Sequence, residues 1–544
     1  MKAYEALAES LFRCGVRTMF GVLGDANMQY VSAFTDQQSA RFVGAVVEGS
    51  AVGMADGFHR ATQELGVVSV THGPGFTNAL TALTEAVRAR SSLLLLTGAP
   101  AVRRHHPQQL DLQAGARLAG ADYWRVLKAE HLADDLHNLA GRAVRDGQAI
   151  VVDVPFELLD AQVPAPTRTA PRARRPVIPA DEEALDQALG IAFSARKPVI
   201  LAGHGAVLAD AGDELRELAA VLRAPLCTTL LARDLFRDAE FNLGIMGTLS
   251  TDVASQVLAD ADCLLVFGAG LNGYTTLEGE LLGDRAVVRC DADPRAQFRR
   301  GDHGHFVLGD AKLVARSMVD ALSGVDRPAT ASLCTEALAK QLASAHPRDD
   351  FEDSSTPRHL DMRTAVIDLD ELLPPDRFVV TDAGRFIQAA WRYLHVGKPG
   401  RFTHATNFGS IGLSLGLGLG VALADPSRPT VVVAGDGGTM MNLIEFSTAA
   451  RERLPLVLVV LNDGSYGAEY TKLEQFGLDP ALSLMQWPDL ARVAEALGGH
   501  GVTVRTRTEL AEAVGTAGAG QLPLLIDVQV DPRVDITARR QRPR

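Results

Sequence analysis

The chain has 544 residues, a length that suggests three or four units of ordinary domain size. Its formal net charge of −13 argues against nucleic acid or an acidic membrane surface as the main partner. The composition, 47% hydrophobic and 22% charged, is that of a globular protein, and no apolar run is long enough to predict a membrane span.

The cysteines and the N-terminus predict a cytoplasmic protein. The five cysteines are scattered without a CxxC pair, which indicates buried thiols in a reducing compartment rather than a disulfide framework or a zinc site. Lys2, Glu5 and Glu9 interrupt any apolar start, so we predict no signal peptide.

Residues 1–162 alternate helical and strand patterns, which predicts an α/β domain with a parallel sheet. Three of its predicted strands end at polar or acidic residues, namely at Asp25, at Glu48 and at His72. The strands are predicted at 18–22, 42–47, 67–70, 93–97 and 150–154.

Two further α/β regions follow, each after a linker. A Pro- and Arg-rich stretch at 163–179 predicts an extended linker, and a polar stretch at 345–357 predicts a second one. Between and after them we predict a central domain at 181–324 and a C-terminal domain at 358–535. The fold class is therefore α/β, with three doubly wound parallel-sheet domains. In these two domains the predicted strands are 198–201, 263–267, 286–290, 378–381, 431–434, 456–461 and 524–528.

The strongest local signal lies between residues 429 and 467. The apolar run 431–434 ends at Gly435-Asp436-Gly437-Gly438, a helix-like segment follows, and the run 456–461 ends at Asn462-Asp463-Gly464. Two parallel strands would carry Asp436 and Asp463 to the same edge of a sheet, the edge where open α/β sheets bind ligands. Glycines let main-chain amides approach an anion, and paired carboxylates favour a hard cation such as Mg²⁺.

Glu48 is unusual because its surroundings predict burial. An apolar strand precedes it and a helix of small residues, 50–55, follows it. A buried glutamate is rare without a partner, which indicates a functional carboxylate. The alternative is a carboxylate that is stabilised only by the N-terminus of a helix.

Several segments together resemble one enzyme superfamily, that of the thiamine-diphosphate (ThDP) enzymes pyruvate decarboxylase, acetohydroxyacid synthase and benzoylformate decarboxylase. The resemblance covers the first and third regions well and the central one only in outline. It is carried by FGVLGDAN (20–27), VEGSAVGMADGFHRAT (47–62), THGPGFTN (71–78), GIMG (244–247), CDADP (290–294), NFGSIG (407–412) and the GDG…ND stretch.

The resemblance implies that the N-terminal domain binds the pyrimidine of ThDP and the C-terminal domain its diphosphate. Glu48 would hydrogen-bond the pyrimidine N1′, while Asp436, Asp463 and the Ser465 carbonyl would hold Mg²⁺. It further implies a homodimer or homotetramer with active sites at the subunit interface. The other implied cofactor contacts are Gly384, Arg385, Phe386, Gly409, Ile411, Gly435, Gly437, Gly438 and Tyr466.

Two positions depart from the family pattern. Asp463 stands where the family usually has a second asparagine, and Val47 stands where many relatives have histidine. A carboxylate still suits Mg²⁺ but adds negative charge beside a diphosphate. We predict that Arg385 offsets this charge.

The candidate acid–base residues resemble those of pyruvate decarboxylase. An acid–base relay near neutral pH is plausible for such a set. The alternative places the paired histidines on an exposed loop beside Arg103 and Arg104. The set comprises Asp25, His72, His105, His106 and Glu469.

The loop after the paired histidines points to a different member of the superfamily. Gln108, Gln109 and Asp111 resemble the glutamine-containing loop of acetohydroxyacid synthases. The sequence therefore combines a decarboxylase-like acid–base set with a synthase-like loop.

The predicted function is that of a ThDP- and Mg²⁺-dependent lyase or carboligase acting on a small 2-oxo acid. The resemblance implies decarboxylation through a ThDP enamine, followed by protonation or by ligation to an acceptor. One alternative is an acetolactate synthase-type carboligase. Another, of a different class, is a non-catalytic ThDP-fold protein with a binding or regulatory role.

A third alternative, an NAD- or FAD-dependent oxidoreductase, rests on the central domain. Residues 268–273 read GAGLNG after a predicted strand, and Asp293 follows at the distance that a dinucleotide-binding pattern requires. The segment 274–282 predicts a short helix at most. Some members of the resembling family hold FAD or ADP here, and an empty central domain is favoured over FAD.

Overall fold

The computed structural model describes residues 1–99, 106–169, 177–297, 304–325 and 332–536. It contains three six-stranded sheets of parallel strands flanked by helices, which confirms the predicted fold class. The first and third sheets belong to one compact unit, formed by Met1–Arg175, Ser354–Ile387 and Thr403–Val534. The second sheet belongs to another unit, formed by Pro176–Asp353, Gln388–Phe402 and Asp535–Arg544.

The first sheet is formed by the N-terminal part of the chain. Its strands are β1 (Thr18–Gly21), β2 (Arg41–Gly44), β3 (Gly66–Ser69), β4 (Leu93–Thr97), β5 (Asp122–Arg125) and β6 (Ala149–Asp153). Its helices are α1 (Ala3–Arg13), α2 (Met28–Thr35), α3 (Glu48–Thr62), α4 (Pro74–Arg88), α5 (Leu112–Ala119) and α6 (Leu132–Asp146). The strand order is β2-β1-β3-β4-β6-β5, so the chain reverses its winding direction at β1 and β3.

The second sheet is formed by the central part of the chain. Its strands are β7 (Pro198–Ala202), β8 (Leu226–Thr228), β9 (Asn242–Ile245), β10 (Cys263–Phe267), β11 (Ala286–Asp291) and β12 (His305–Leu308). Its helices are α7 (Glu182–Ser194), α8 (His204–Leu208), α9 (Gly212–Leu222), α10 (Asp252–Asp260), α11 (Gly273–Thr276), α12 (Ala311–Leu322) and α13 (Glu336–Ser344). The strand order is β12-β11-β10-β7-β8-β9.

The third sheet contains the predicted metal-binding turns. Its strands are β13 (Phe378–Thr381), β14 (Phe402–His404), β15 (Thr430–Gly435), β16 (Leu456–Asn462), β17 (His500–Val504) and β18 (Leu524–Gln529). The helices of this region are α14 (Met362–Leu372), α15 (Ile387–Tyr393), α16 (Ser414–Ala424), α17 (Asp436–Asn442), α18 (Phe446–Arg451), α19 (Gly467–Gln475), α20 (Leu490–Ala496) and α21 (Arg507–Gly518). The strand order is β14-β13-β15-β16-β18-β17, which puts β15 and β16 at the centre.

The strands that sequence patterns miss lie mostly at sheet edges. The strands β5, β9, β12, β14 and β17 are edge strands, and β8 has only three residues. An edge strand is covered less than a central one and so lacks a continuous apolar run; β5, for example, reads DYWR and has no fully buried residue. The apolar runs that do predict strands correspond to central strands such as β4, β10, β15 and β16, which are buried almost throughout.

Helices α3 and α16 pack main chain against main chain inside the first compact unit. A Cβ atom added at Gly57 would lie 2.0 Å from the Leu417 carbonyl oxygen, and one added at Gly420 would lie 2.0 Å from that of Met54. Glycine is therefore required at both positions for this close approach. Helix α16 has 11 residues and is buried nearly throughout. No described helix is long and apolar enough to cross a membrane.

We expect Gly57→Ala to destabilise the protein because the new methyl group collides with a main-chain oxygen that cannot move independently of α16. Overpacking of this kind costs about 1–3 kcal/mol. The matched control is Gly141→Ala in α6, where an added Cβ would have no atom within 4 Å in the part of the chain that the structure describes. Alanine there should be neutral or stabilising by about 0.5–1 kcal/mol, as in other helix interiors with free space. Equal thermal midpoints for the two variants would contradict this packing.

Candidate active site

The two acidic turns lie side by side, as the sequence predicts. Strands β15 and β16 pair in parallel with Gly435 opposite Leu461, so that Asp436 and Asp463 follow at the same edge of the third sheet. Both side chains are buried. Burial, together with the negative charge of Asp463, raises the pKa of Asp436 to about 7. A cation bound between the two carboxylates would relieve this repulsion.

Asp463 is held by partners on both of its carboxylate oxygens. Its Oδ1 accepts hydrogen bonds from the main-chain N (3.0 Å) and the Oγ (2.7 Å) of Ser465. Its Oδ2 accepts from Arg385 Nη2 at 2.9 Å. Arg385 also donates from Nη1 to the carbonyl oxygens of Pro532 (3.0 Å) and Val534 (2.9 Å). The predicted compensation of the Asp463 charge by Arg385 thus corresponds to a direct ion pair.

Asp436 has a partner that sequence patterns did not indicate. Its Oδ2 accepts a hydrogen bond from Trp487 Nε1 at 2.6 Å. The main-chain amides of Asp436 and Gly437 also hydrogen-bond this carboxyl group, which opposes the rise in its pKa. The carboxylate is therefore fixed in orientation by groups around it.

The residues of these turns fit a hard cation such as Mg²⁺. Two carboxylates, together with the carbonyl oxygen of Ser465, would supply the all-oxygen donor set that Mg²⁺ prefers. Among the described residues no group of three His, Cys, Asp or Glu side chains converges as a metal site, so a cation here would rely on the main-chain oxygen. The two neighbouring glycines allow close packing: a Cβ at Gly437 would lie 2.7 Å from the Tyr466 ring, and one at Gly438 would lie 3.0 Å from Asp382 Oδ2.

The loop 407–412 is anchored from two sides. Asp382, which follows β13 and is buried, accepts from Gly412 N at 2.9 Å and from Ser414 Oγ at 3.0 Å. Its burial raises the pKa of Asp382 to about 6. On the other side, Glu85 of α4 accepts from Asn407 Nδ2 and from Phe408 N, both at 2.7 Å.

The predicted cofactor contacts of this loop are Gly409 and Ile411, which lie between the two anchored ends. Gly409 has a φ of +84°, and a Cβ added there would have no atom of the described residues within 4 Å. The positive φ favours glycine, and the open space suits a close approach of the Gly409 main chain to a ligand. Ile411 lies between Gly409 and the anchored Gly412. Near the metal turns, Gly384 also has a positive φ, and the buried Phe386 lies against it and against Gly435.

Glu48 is the first residue of α3 and is only partly buried, so the prediction that it is buried was wrong. Strand β2 ends at Gly44, so Glu48 follows beyond the end of the strand, at the edge of the first sheet. Its Oε2 accepts from Asn78 Nδ2 at 3.1 Å. The main chain just before it is fixed by Glu445, whose Oε1 accepts from Val46 N (2.7 Å) and Val47 N (2.8 Å).

Two of the candidate histidines come together. His72 and His106 contact edge to face with 5.7 Å between ring centroids. Gln108 joins them, since its Oε1 lies 2.7 Å from His72 Nε2 and its main-chain N donates to His106 Nδ1 at 3.2 Å. An amide oxygen only accepts, so with Gln108 in this orientation the proton of neutral His72 stands on Nε2. The buried Nδ1 of His72 has no hydrogen-bond partner among the described residues.

The other acid–base candidates are not part of this histidine cluster. Asp25 and Glu469 are exposed, and within the described ranges neither is hydrogen-bonded to a histidine. His105 lies outside the described residues. Of the synthase-like loop, Gln109 is exposed, and Asp111 accepts from Ala114 N at 2.9 Å as the N-cap of α5.

The GAGLNG segment of the central domain does not form the strand–turn–helix of a dinucleotide-binding fingerprint. Helix α11, which follows it, has four residues. Gly268, at a φ of +61°, packs against α8, where an added Cβ would lie 2.5 Å from Gly205 Cα. This glycine therefore serves contact between two main chains.

Three family profiles match consecutive parts of the chain. Residues 1–115 match the thiamine pyrophosphate enzyme N-terminal TPP binding domain, 185–318 the central domain and 382–528 the C-terminal TPP binding domain. The chain belongs to the thiamine pyrophosphate enzyme family. This confirms the resemblance to ThDP enzymes that the sequence indicated. It also confirms the predictions that the chain is a ThDP-dependent enzyme and that its cofactor is ThDP.

Individual relatives agree with this assignment over nearly the whole chain. The chain is 27% identical to acetolactate synthase isozyme 3 large subunit of Escherichia coli (strain K12), over 97% of this chain and 94% of that protein. It is also 27% identical to sulfoacetaldehyde acetyltransferase of Castellaniella defragrans, over 98% and 92%. A Rhodococcus jostii RHA1 thiamine diphosphate-dependent 4-hydroxybenzoylformate decarboxylase has the same fold, with a TM-score of 0.82, 22% identity and coverage of 98% and 99%.

The TPP-binding parts contain contacts that sequence reasoning missed. Glu85, Asp382, Glu445 and Trp487 hold the loops that carry candidate cofactor ligands. Asp382 had a sequence signal, because it directly follows a predicted strand two residues before Gly384. Glu85, Glu445 and Trp487 had none, since each contacts a segment remote in the chain.

Proposed function

We propose that this enzyme uses ThDP and Mg²⁺ to cleave the bond between the carbonyl carbon and the carboxylate of a 2-oxo acid. The fragment left after loss of CO₂ is then protonated or joined to an acceptor. The observation that carries the proposal is the pair of buried carboxylates, Asp436 and Asp463, on adjacent strand ends of the TPP-binding C-terminal domain. When bound, ThDP supplies the electron sink that makes this cleavage possible.

In this proposal the C-terminal domain holds the diphosphate end of the cofactor. Asp436, Asp463 and the Ser465 carbonyl bind Mg²⁺, and Arg385 keeps the site from carrying an uncompensated charge. The remaining contacts surround the same turns and the loop 407–412. They are Gly384, Phe386, Gly409, Ile411, Gly435, Gly437, Gly438 and Tyr466.

The N-terminal domain contributes Glu48, which we assign to the pyrimidine N1′ of a cofactor shared between two subunits. Support for a shared site comes from exposed apolar side chains beside both half-sites. Val46 precedes Glu48, Phe408 precedes Gly409, and Met441 lies beside Gly412; all three are exposed in the single chain. Exposed apolar side chains beside a ligand loop favour a subunit interface at that place. We therefore propose a homodimer or a higher homo-oligomer.

A second candidate is a carboligase of the acetolactate synthase type, in which the fragment is passed to a second carbonyl compound. The contact between His72 and Gln108 favours it, because it places a glutamine of the synthase-like loop beside a histidine whose Nδ1 has no hydrogen-bond partner within the described part of the chain. The names of the relatives, a synthase and an acetyltransferase, point the same way. In either case His72 and His106 are the proposed proton donors or acceptors near the substrate, with Asp25, His105 and Glu469 as further candidates.

The test is to incubate the purified protein with ThDP, Mg²⁺ and a panel of 2-oxo acids, with and without aldehyde or 2-oxo acid acceptors. CO₂ release and organic products are followed together. CO₂ with a simple aldehyde product supports protonation, whereas CO₂ with a condensation product supports ligation. Absence of CO₂ release from every member of the panel would contradict the proposed decarboxylation.

A further inference from the structure

The hydrogen bond between Trp487 and Asp436 is short. An N–H···O bond usually spans 2.9–3.0 Å, whereas Trp487 Nε1 lies 2.6 Å from Asp436 Oδ2, so the two side chains are in close contact. An indole nitrogen donates and cannot accept, so the contact needs the carboxylate as its acceptor. It engages Oδ2 and leaves Oδ1 as the oxygen without an indole contact.

The segment that carries Trp487 is bound to the metal turn itself. Residues 483–485 run antiparallel to residues 464–466: Tyr466 N donates to Ser483 O at 3.0 Å, and Met485 N donates to Gly464 O at 2.7 Å. These two bonds use groups of Gly464 and Tyr466 and none from the Ser465 carbonyl. The segment therefore holds the turn in place, and its two hydrogen bonds do not occupy the Ser465 carbonyl oxygen, the proposed metal ligand.

The other side of Trp487 is fixed by the helix that follows. Asp489 caps α20, accepting from Arg492 N at 3.2 Å, and the indole packs against the core cluster that contains Leu490 and Ala494. Proline at 488 restricts the backbone between them. The main chain on both sides of Trp487 is therefore anchored, on one side to the metal turn and on the other to the start of α20.

We propose that Trp487 is a positioning residue for the metal site, which holds Asp436 by Oδ2 and presents Oδ1 to Mg²⁺. This inference rests on the proposed function, since it assumes that Asp436 binds the cation. Each of the two carboxylates then has one side-chain nitrogen donor on its Oδ2: Trp487 donates to Asp436, and Arg385 donates to Asp463. Partners that orient metal ligands typically change metal affinity by about 10- to 100-fold.

The test compares Trp487→Phe with the wild type in Mg²⁺ binding. Phenylalanine keeps an aromatic ring against the core but removes the N–H donor. Protein freed of metal by a chelator is titrated with Mg²⁺ in the presence of ThDP, by calorimetry. We expect the variant to bind Mg²⁺ about 10- to 100-fold more weakly. Trp487→His, which restores a ring N–H, should recover part of the loss.

The matched control is Trp124→Phe. Trp124 lies in β5 of the first sheet and donates to the Asp135 carboxyl group, so the control removes a tryptophan–aspartate contact outside the site. Its Mg²⁺ affinity should equal that of the wild type. Thermal unfolding of the metal-free proteins shows whether each variant is folded.

Fluorescence gives a readout that does not depend on the affinity comparison. The chain has three tryptophans. Mg²⁺ should change the tryptophan emission of the wild type and of Trp124→Phe, which keep Trp487, but not the emission of Trp487→Phe. Two results would overturn the role of Trp487 alone. One is a Mg²⁺ affinity of folded Trp487→Phe equal to that of the wild type; the other is a Mg²⁺-induced change in the fluorescence of that variant equal to the change in the wild type. A wild type that binds neither Mg²⁺ nor ThDP would instead overturn the proposed function, and this inference with it.

Discussion

Glu48→Gln should lower turnover of a 2-oxo acid by about 10²- to 10⁴-fold, the range typical for loss of an acid–base group. Glutamine keeps the size and the contact with Asn78 but cannot take up a proton. The proposed diphosphate contacts lie in the C-terminal domain, so ThDP should still bind. Steady-state CO₂ release and a ThDP titration measured on the same preparation separate the two effects.

The control for this variant is Glu130→Gln, whose exposed side chain lies in the short turn after β5 and is not among the proposed site residues. Its turnover should equal that of the wild type. Unchanged turnover in Glu48→Gln would contradict the assignment of Glu48. A wild type that binds ThDP but turns over no substrate would favour the alternative of a non-catalytic binding protein.

Asp436→Asn should have two opposite effects. It removes a ligand charge, so Mg²⁺-dependent ThDP affinity should fall by at least about 10- to 100-fold. It also removes a buried negative charge that repels Asp463, so the metal-free protein should unfold at an equal or higher temperature than the wild type. Such a gain in stability with loss of binding is not expected of a residue whose role is structural.

A suitable control is Asp376→Asn, an exposed aspartate of the same domain that pairs with Arg428 at 3.0 Å. Its ThDP affinity and thermal midpoint should stay close to those of the wild type, because exposed ion pairs contribute about 0–1 kcal/mol. Removal of Mg²⁺ from the wild type by a chelator should reproduce the binding defect of Asp436→Asn. Wild-type ThDP affinity in that variant would exclude Asp436 as a metal ligand.

The position of the acidic turns could be predicted because local chemistry determines it. Each turn follows a continuous apolar run, such runs form central parallel strands, and parallel strands end at one edge. The pairing of Gly435 with Leu461 makes Asp436 and Asp463 neighbours. The same reasoning fails at edge strands such as β5 and β17, whose mixed sequences carry no burial pattern.

The hydrogen bonds that hold the site residues in place could not be predicted, because they join segments that are remote in the sequence. Trp487 is 51 residues from Asp436, and Glu445 is 399 residues from Val46. No periodicity in the sequence links such pairs. Sequence similarity also does not tell which way a loop side chain faces: Gln108 contacts His72, whereas Asp111, three residues later, caps a helix.

The most direct test of Glu48 as the residue that activates ThDP is exchange of the thiazolium C2 proton of the bound cofactor in deuterated water, measured by quenched-flow NMR. This exchange reports proton removal without requiring the identity of the substrate. The wild type should exchange fast, and Glu48→Gln with bound ThDP should exchange about 10²- to 10⁴-fold more slowly. Equal exchange rates in the two proteins would contradict the account.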